Sequence, residues 1–285
     1  MAAAPGTVGV LGGGRMGAGI AQAFATAGSV VVVVENGEEA AEAALERVST
    51  GLRRAAERGK LDEEVERVLA RVTVATSVDD LPAAADLVVE AVPEDAALKV
   101  RMLTAAEGAV GEETVLATNT SSLSITELAG ALARPERFVG MHFFNPVPAS
   151  ALVELVVAER TADATVRAVL EWTHALGKRD VVVRDSPGFA SSRLGVALGL
   201  EAIRMVEEGV AEPEAIDAAM TLGYRHPMGP LRLTDLVGLD VRLAIAEHLH
   251  DTLGERFAPP RLLREKVARG ELGRKTGRGF YTWED

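Results

Sequence analysis

His142 and Glu154, in the run His142-Phe-Phe-Asn-Pro-Val-Pro148 and the following Leu152-Val-Glu154, are residue types that together can move a proton. Imidazole titrates near neutral pH, and an adjacent carboxylate fixes its tautomer and stabilises its protonated form. That is the chemistry an alcohol/carbonyl interconversion requires. The histidine follows an apolar strand-like run, Phe138-Val-Gly-Met141. Pro146 and Pro148 then force a turn before the next apolar run, Leu152 to Val157. A chain that reverses there brings Glu154 back beside His142. A lone histidine next to a proline turn also suits an ordinary surface position, so the reading rests on the whole run. Upstream, Val115-Leu-Ala-Thr118 reads as a strand that delivers Asn119 and Ser121 at its C-terminal end. Open α/β sheets bind their ligands at that end. A carboxamide and a hydroxyl placed there can donate to a carbonyl oxygen that gains negative charge during reduction.

The elements that position these groups begin near the N-terminus. Thr7 to Leu11 is a short apolar run leading directly into Gly12-Gly-Gly14-Arg15-Met16-Gly17, followed by a helix-like stretch, Ala18 to Ala27, then Val30 to Val34 and Glu35. Strand, glycine turn, helix, strand and acid occur in the order a dinucleotide-binding fold needs. Gly12 permits the tight turn, Gly14 lets the backbone approach a pyrophosphate, and Gly17 allows close packing of helix on strand. The amides of Arg15 and Met16 open the helix that faces the phosphates. Glu35 is expected to accept hydrogen bonds from the adenosine ribose hydroxyls and to repel a 2′-phosphate, which favours NAD over NADP.

From Glu38 to Ala70 the pattern is a pair of charged amphipathic helices around Gly59-Lys60-Leu61, an insertion larger than an ordinary crossover. It carries a basic cluster, Arg53, Arg54, Arg58 and Lys60. Either this is a solvated face balanced by Glu57 and Glu63, or it supplies local positive potential for an anionic ligand. Asp86 to Pro93 is a buried-strand run followed by Glu94 and Lys99, which could be a plain exposed pair at a helix start. Val181 to Arg184 closes the sheet. After it come the turn Asp185 to Phe189 and helices over Ala190–Gly209, Pro213–Leu222, Arg232–Leu253 and Pro260–Gly270. The expected architecture is α/β. Residues 1–184 form a Rossmann-type doubly wound, mostly parallel sheet with a helical insertion, and residues 185–285 an all-α domain. His226, before a proline in a turn, reads as structural. Lys275 and Arg278 fit either a phosphate contact or a solvated tail.

Bulk properties narrow the function. The 285 residues suit about two domains. A net charge of −12 argues against nucleic acid or an anionic membrane as the main partner, because a phosphate polymer is repelled over most of the surface. With no cysteine there is no disulfide, thiolate nucleophile or cysteine-based metal site, and no metal site is expected. The N-terminus lacks the basic start and apolar stretch of a signal peptide, and the apolar runs are too short to span a bilayer. The chain reads as cytoplasmic.

The order and spacing of Asn119-Thr-Ser-Ser, His142-Phe-Phe-Asn-Pro-Val-Pro148 and Leu152-Val-Glu154 closely resemble the 3-hydroxyacyl-CoA dehydrogenase family, over nearly the full chain from Gly9 to Trp283. The resemblance implies that His142 is the catalytic base and Glu154 its partner. Ser121 and Asn119 then face substrate or cofactor, and Glu94 and Lys99 border the nicotinamide ribose. It also implies that the helical arm with Arg53, Arg54, Arg58 and Lys60 lies near the phosphates of coenzyme A. The C-terminal domain would close over the acyl chain and form a homodimer interface. There are two departures from the family pattern. Ser192 stands where the family usually has an asparagine of the catalytic cluster, and Ala151 stands where relatives often carry a lysine. Serine keeps one donor but reaches less far. The activity implied is NAD-dependent oxidation of an (S)-3-hydroxyacyl-CoA, such as 3-hydroxybutyryl-CoA, or its reverse. An acyl-carrier-protein thioester or a free hydroxy acid as substrate is the alternative, followed by a non-catalytic NAD-binding protein.

Overall fold

A computed structural model of the chain describes residues 3–284, and the chain divides into two compact units, residues 1–185 and 186–285. In the first unit β1 (Thr7–Leu11), α1 (Arg15–Thr26) and β2 (Val30–Val34) precede α2 (Glu38–Glu57), α3 (Val65–Leu69) and β3 (Val72–Ala75). Next come β4 (Leu87–Glu90), α4 (Ala96–Ala109), β5 (Val115–Thr118), α5 (Ile125–Ala129) and β6 (Phe138–Phe143). β7 (Leu152–Val157), α6 (Asp163–Ala175) and β8 (Arg179–Arg184) complete the unit. All eight strands form one sheet in the order β3-β2-β1-β4-β5-β6-β7-β8. Neighbours from β3 through β6 are parallel, β7 runs antiparallel to β6, and β8 runs parallel to β7. The doubly wound, mostly parallel sheet expected from the sequence is the sheet observed.

Its local causes are plain. β2 is five valines, and β-branched side chains fit a pleated surface well. β4 and β5 are buried at every residue, as strands covered by helices on both faces must be. Strand order reverses between β1 and β4, so a crevice opens at their C-terminal ends. Every group of the dinucleotide turn and of the β4, β5 and β6 ends gathers on that side. β3 was not anticipated. Val72-Thr-Val-Ala75 is too short and too mixed to declare itself, and pairing with β2 from Val31 to Val34 makes it a strand.

The second unit holds α7 (Ser191–Glu207), α8 (Pro213–Ala218), α9 (Pro230–Val237), α10 (Leu239–Leu253) and α11 (Arg261–Ala268) around Val196, Leu200, Ile203, Leu231, Leu249 and Leu263. The single helix expected over Arg232–Leu253 is corrected to two. Gly238 lies between them at φ 103, a conformation a helix cannot contain and glycine adopts freely. The C-terminal segment is not helical throughout either. It is held by the buried Asp235 carboxylate, which accepts from the Phe280 and Tyr281 amides and from Trp283 Nε1 at 2.8–2.9 Å. Lys275 is ion-paired with Asp240 rather than free in a solvated tail, and Arg278 lies 3.8 Å from Glu271.

Candidate active site

The glycine turn has the shape its sequence implies. Gly12 takes φ +91, and a Cβ there would stand 3.0 Å from the Ala91 carbonyl oxygen. At Gly17 an added Cβ would lie 1.7 Å from the Gly12 carbonyl oxygen, so only glycine lets α1 approach the turn so closely. At Gly14 an added Cβ would meet nothing within 4 Å, which leaves the approach to the backbone open. No side chain caps α1, and its first residues, Arg15 and Met16, are exposed and half-buried. Its leading amides therefore suit an anion. The cradle is closed on the helix side and open in front of Gly14, as a dinucleotide pyrophosphate requires.

Glu35 follows the last residue of β2 and accepts from the Gly13 amide at 2.6 Å and from the Asn36 amide at 3.2 Å. These bonds aim its carboxylate across the turn. Arg47 of α2 donates to the Gly13 carbonyl at 3.2 Å and anchors the same peptide from the other side.

A second cluster lies at the ends of β4 and β5. Lys99, only 1% exposed, holds Glu90 at 2.8 Å and Glu94 at 3.2 Å, and donates to the Val92 carbonyl at 3.2 Å. Glu90, fully buried, also accepts from the Thr118 hydroxyl at 2.6 Å and the Val92 amide at 2.7 Å. Glu94 accepts from the Thr120 hydroxyl at 2.5 Å, the Ser121 amide at 3.0 Å and the Ser122 hydroxyl at 3.1 Å. Burial alone would raise the Glu94 carboxyl, yet the Lys99 charge and these hydrogen bonds outweigh it and hold it below the ordinary glutamate range. The reading of Glu94 and Lys99 as an exposed surface pair is corrected: Lys99 is buried beneath the loop that carries Ser121. Glu90 and Thr120 were missed. An acid closing a strand that is apolar on both faces was the signal in the sequence.

His142 and Glu154 face each other directly in the antiparallel register of β6 and β7. Nδ1 lies 3.1 Å from Glu154 Oε2, with His142 7% and Glu154 1% exposed. The reading of His142 as an ordinary surface residue is thereby excluded. A carboxylate only accepts, so Nδ1 donates to it and Nε2 is the basic ring nitrogen. The Phe144 ring packs 4.4 Å away. Asn119 Oδ1 accepts from the Phe143 amide at 2.9 Å, tying the end of β5 to the residue after the histidine. Its Nδ2 is then the group it can offer a ligand. Another missed residue braces the turn between the two strands. Buried Lys178 donates to the carbonyls of Val147 and Ser150, each at 2.6 Å, and burial lowers its pKa.

The first unit thus brings His142, Asn119, Glu94, Lys99 and Ser121 to the C-terminal side of β4, β5 and β6, with Glu154 near the start of the antiparallel β7 opposite His142. Arg53 and Arg54 lie exposed on α2, Arg58 is exposed at its C-terminal end, and Lys60 is exposed in the following loop. Glu63 does not balance that cluster, because it pairs with Arg67 and Arg71 at 3.0 and 2.7 Å. Ala151 is exposed just before β7. Ser192 belongs to the second unit, in the first turn of α7.

Comparison with known proteins identifies relatives for both units. Residues 7–186 match the family described as 3-hydroxyacyl-CoA dehydrogenase, NAD binding domain, and residues 188–283 match its C-terminal domain. A probable 3-hydroxybutyryl-CoA dehydrogenase of Bacillus subtilis is 46% identical over 278 residues, 97% of this chain and 96% of that one. The human mitochondrial hydroxyacyl-coenzyme A dehydrogenase is 40% identical over 283 residues, 96% of this chain and 90% of that one. The crystal structure of an (S)-3-hydroxybutyryl-CoA dehydrogenase from Ralstonia eutropha superposes with a TM-score of 0.94 at 45% identity, covering 99% of this chain and all of that one.

Proposed function

The chain belongs to the 3-hydroxyacyl-CoA dehydrogenase family, and on that premise we propose that it interconverts short (S)-3-hydroxyacyl-CoA and 3-oxoacyl-CoA thioesters, with His142 and Glu154 as its acid/base pair. The observation that carries this reading is the buried His142–Glu154 pair beside Asn119 at the strand ends. NAD supplies the hydride acceptor. His142 Nε2 takes the hydroxyl proton as the alcohol is oxidised and returns it to the oxygen in the reverse direction. Glu154 keeps Nδ1 protonated and stabilises the imidazolium. Asn119 Nδ2 and the Ser121 hydroxyl donate to the carbonyl oxygen as it becomes negative. Gly12, Gly14, Arg15, Met16 and Gly17 hold the pyrophosphate, Glu35 holds the adenosine ribose, and Glu94 and Lys99 border the nicotinamide ribose. Arg53, Arg54, Arg58 and Lys60 supply positive potential for the phosphates of coenzyme A in an otherwise acidic protein. Acetoacetyl-CoA should oxidise NADH in a spectrophotometric assay with the unmodified protein, and no absorbance change at 340 nm would reject the reading.

Cofactor choice follows from Glu35. Its carboxylate, already aimed by the Gly13 amide, accepts ribose hydroxyls and repels a 2′-phosphate. The expected result is a clear preference for NADH over NADPH, narrowed in Glu35→Ala chiefly by a higher KM for NADH. Equal use of both by the unmodified protein would remove Glu35 from that role.

Homodimer formation through the second unit is supported by exposed apolar side chains there. Leu233, Leu236 and Val237 line one exposed face of α9, with Leu222 and Tyr224 exposed in the segment before it. No described helix is long and apolar enough to cross a membrane. Sedimentation should give twice the mass of 29.9 kDa, and Leu233→Asp/Leu236→Asp should give the single mass. A monomeric unmodified protein overturns this assignment.

A further inference from the structure

The loop that joins β6 to β7 is held by a cation with no carboxylate beside it. Residues 144–151 run from the end of β6, where His142 stands, to the start of β7, which carries Glu154. Lys178, 8% exposed between α6 and β8, places two of its three ammonium donors on the Val147 and Ser150 carbonyls of this loop. The Arg179 amide donates to the next carbonyl along, that of Ala151, at 2.7 Å. Burial lowers the Lys178 pKa, and no nearby carboxylate counters the effect. A buried ammonium without an anion costs free energy that an apolar chain of the same length would not. What the ammonium adds is a grip on one loop at two points.

The same loop is seated on the helix that opens at the dinucleotide turn. Val147, buried, packs at Gly19 of α1 so closely that a Cβ added there would stand 3.0 Å from its Cβ and 3.1 Å from its Cγ2. Just before the loop, Phe143 meets Phe24 of α1 edge-on, with ring centroids 6.4 Å apart and planes at 73°. The Phe143 amide is also the group that Asn119 holds at the end of β5. The chain that leaves His142 therefore rests on α1 at two points and is tied down at two more by Lys178. Close-packed contacts of this kind pass a displacement on instead of absorbing it. Hydrogen transfer needs the imidazole at a fixed place relative to a dinucleotide bound at the start of α1, because a misplacement of ~1 Å can cost ~10²-fold in rate.

We propose that Lys178 is a positioning residue for the hydrogen-transfer step: by holding the loop of residues 147–150 on α1, it sets the place of His142 relative to the dinucleotide site. This assignment rests on the reading of His142 as the acid/base group and adds a residue that acts through the loop, without contact with the reacting atoms. A lysine that only supported the fold would change stability and leave the transfer step alone.

The test takes three measurements on Lys178→Met, Lys178→Arg and Gly19→Ala. They are the hydride step in single turnovers of NADH with acetoacetyl-CoA, the NADH dissociation constant by fluorescence, and the His142 Nδ1 proton in NMR spectra of the cofactor-free protein. That resonance is identified by its loss in His142→Gln. Lys178→Met should slow the hydride step at least tenfold, keep the NADH constant within twofold of the unmodified protein, and broaden or shift the Nδ1 resonance. Lys178→Arg, which keeps the charge and donors, should recover part of the rate. Gly19→Ala leaves the ammonium in place, pushes on Val147 from α1, and should slow the same step several-fold. It decides the matter if Lys178→Met does not fold. A hydride step within twofold of the unmodified protein in the deciding variant overturns the proposal. So does a loss carried wholly by weaker NADH binding, or an Nδ1 resonance that Lys178→Met leaves unchanged. Full turnover in His142→Gln removes the acid/base reading and this inference together. Loss of turnover in His142→Gln, with turnover kept in Lys178→Met, removes only the inference.

Discussion

Replacement of His142 by glutamine is expected to lower kcat for acetoacetyl-CoA reduction by ~10²–10⁴-fold, the usual contribution of a positioned acid/base group. Affinity for NADH should change little, because the dinucleotide turn and Glu35 are built on β1, α1 and β2 and make no use of the imidazole. Glutamine can still bond to Glu154 from its amide nitrogen, so local packing survives while the titrating group is lost. Stopped-flow measurement of the hydride step, together with fluorescence titration of NADH, separates the two effects. Turnover within a few-fold of the unmodified protein would take His142 out of the mechanism. Glu154→Gln gives the companion result, a lower kcat, because the neutral amide no longer supplies the charge opposite Nδ1. An unchanged kcat would mean that the 3.1 Å contact has no role in proton transfer.

Lys99→Met should be the most destabilising single change among the site residues. It leaves Glu90, fully buried, and Glu94 without their common cation. Breaking a buried pair by removing one partner costs ~3–5 kcal/mol, far more than an exposed ion pair is worth. Urea denaturation at pH 7 reads the loss directly. Glu90→Gln combined with Lys99→Met should recover part of it, since a neutral amide replaces the stranded charge. Equal stability of the double and single variants would show that Glu90 is not the carboxylate left exposed to the penalty. The pH dependence has a definite sign. Glu94 has its folded pKa held below the ordinary value, so its stabilisation is complete above the ordinary carboxylate range and is lost as pH falls through the lower, folded value. The unmodified protein should therefore keep this contribution from neutral pH down to that range and lose it only in stronger acid.

Much of the site was legible in the residue order because its parts are local. Gly12, Gly14 and Gly17 sit within one turn and one helix start, so their spacing specifies their geometry. His142 and Glu154 lie on two runs joined by a proline turn, and a chain that reverses once has few registers in which both apolar runs stay buried. The register observed sets the two residues opposite each other. Glu35 was legible for the same reason, as the acid at the end of an unbroken valine strand. The single helix expected over Arg232–Leu253 shows the limit of periodicity. Its apolar pattern continues past Gly238, but the backbone there turns to positive φ, a choice made by packing.

The sequence alone determined the alternation of strand and helix, the dinucleotide turn, the pairing of His142 with Glu154 and the family likeness, all of which depend on neighbours in the chain or on short spacings. Only the tertiary structure decided the surroundings of each charge. Lys99 could have been an exposed partner of Glu94 until β4 and β5 enclosed it between Glu90 and Glu94. Lys178 gave no signal until its ammonium was placed on two carbonyls of the turn after His142. Burial and partnership set the energy of a charged group, and both are properties of segments far apart in sequence that meet only when the sheet and the helices have closed.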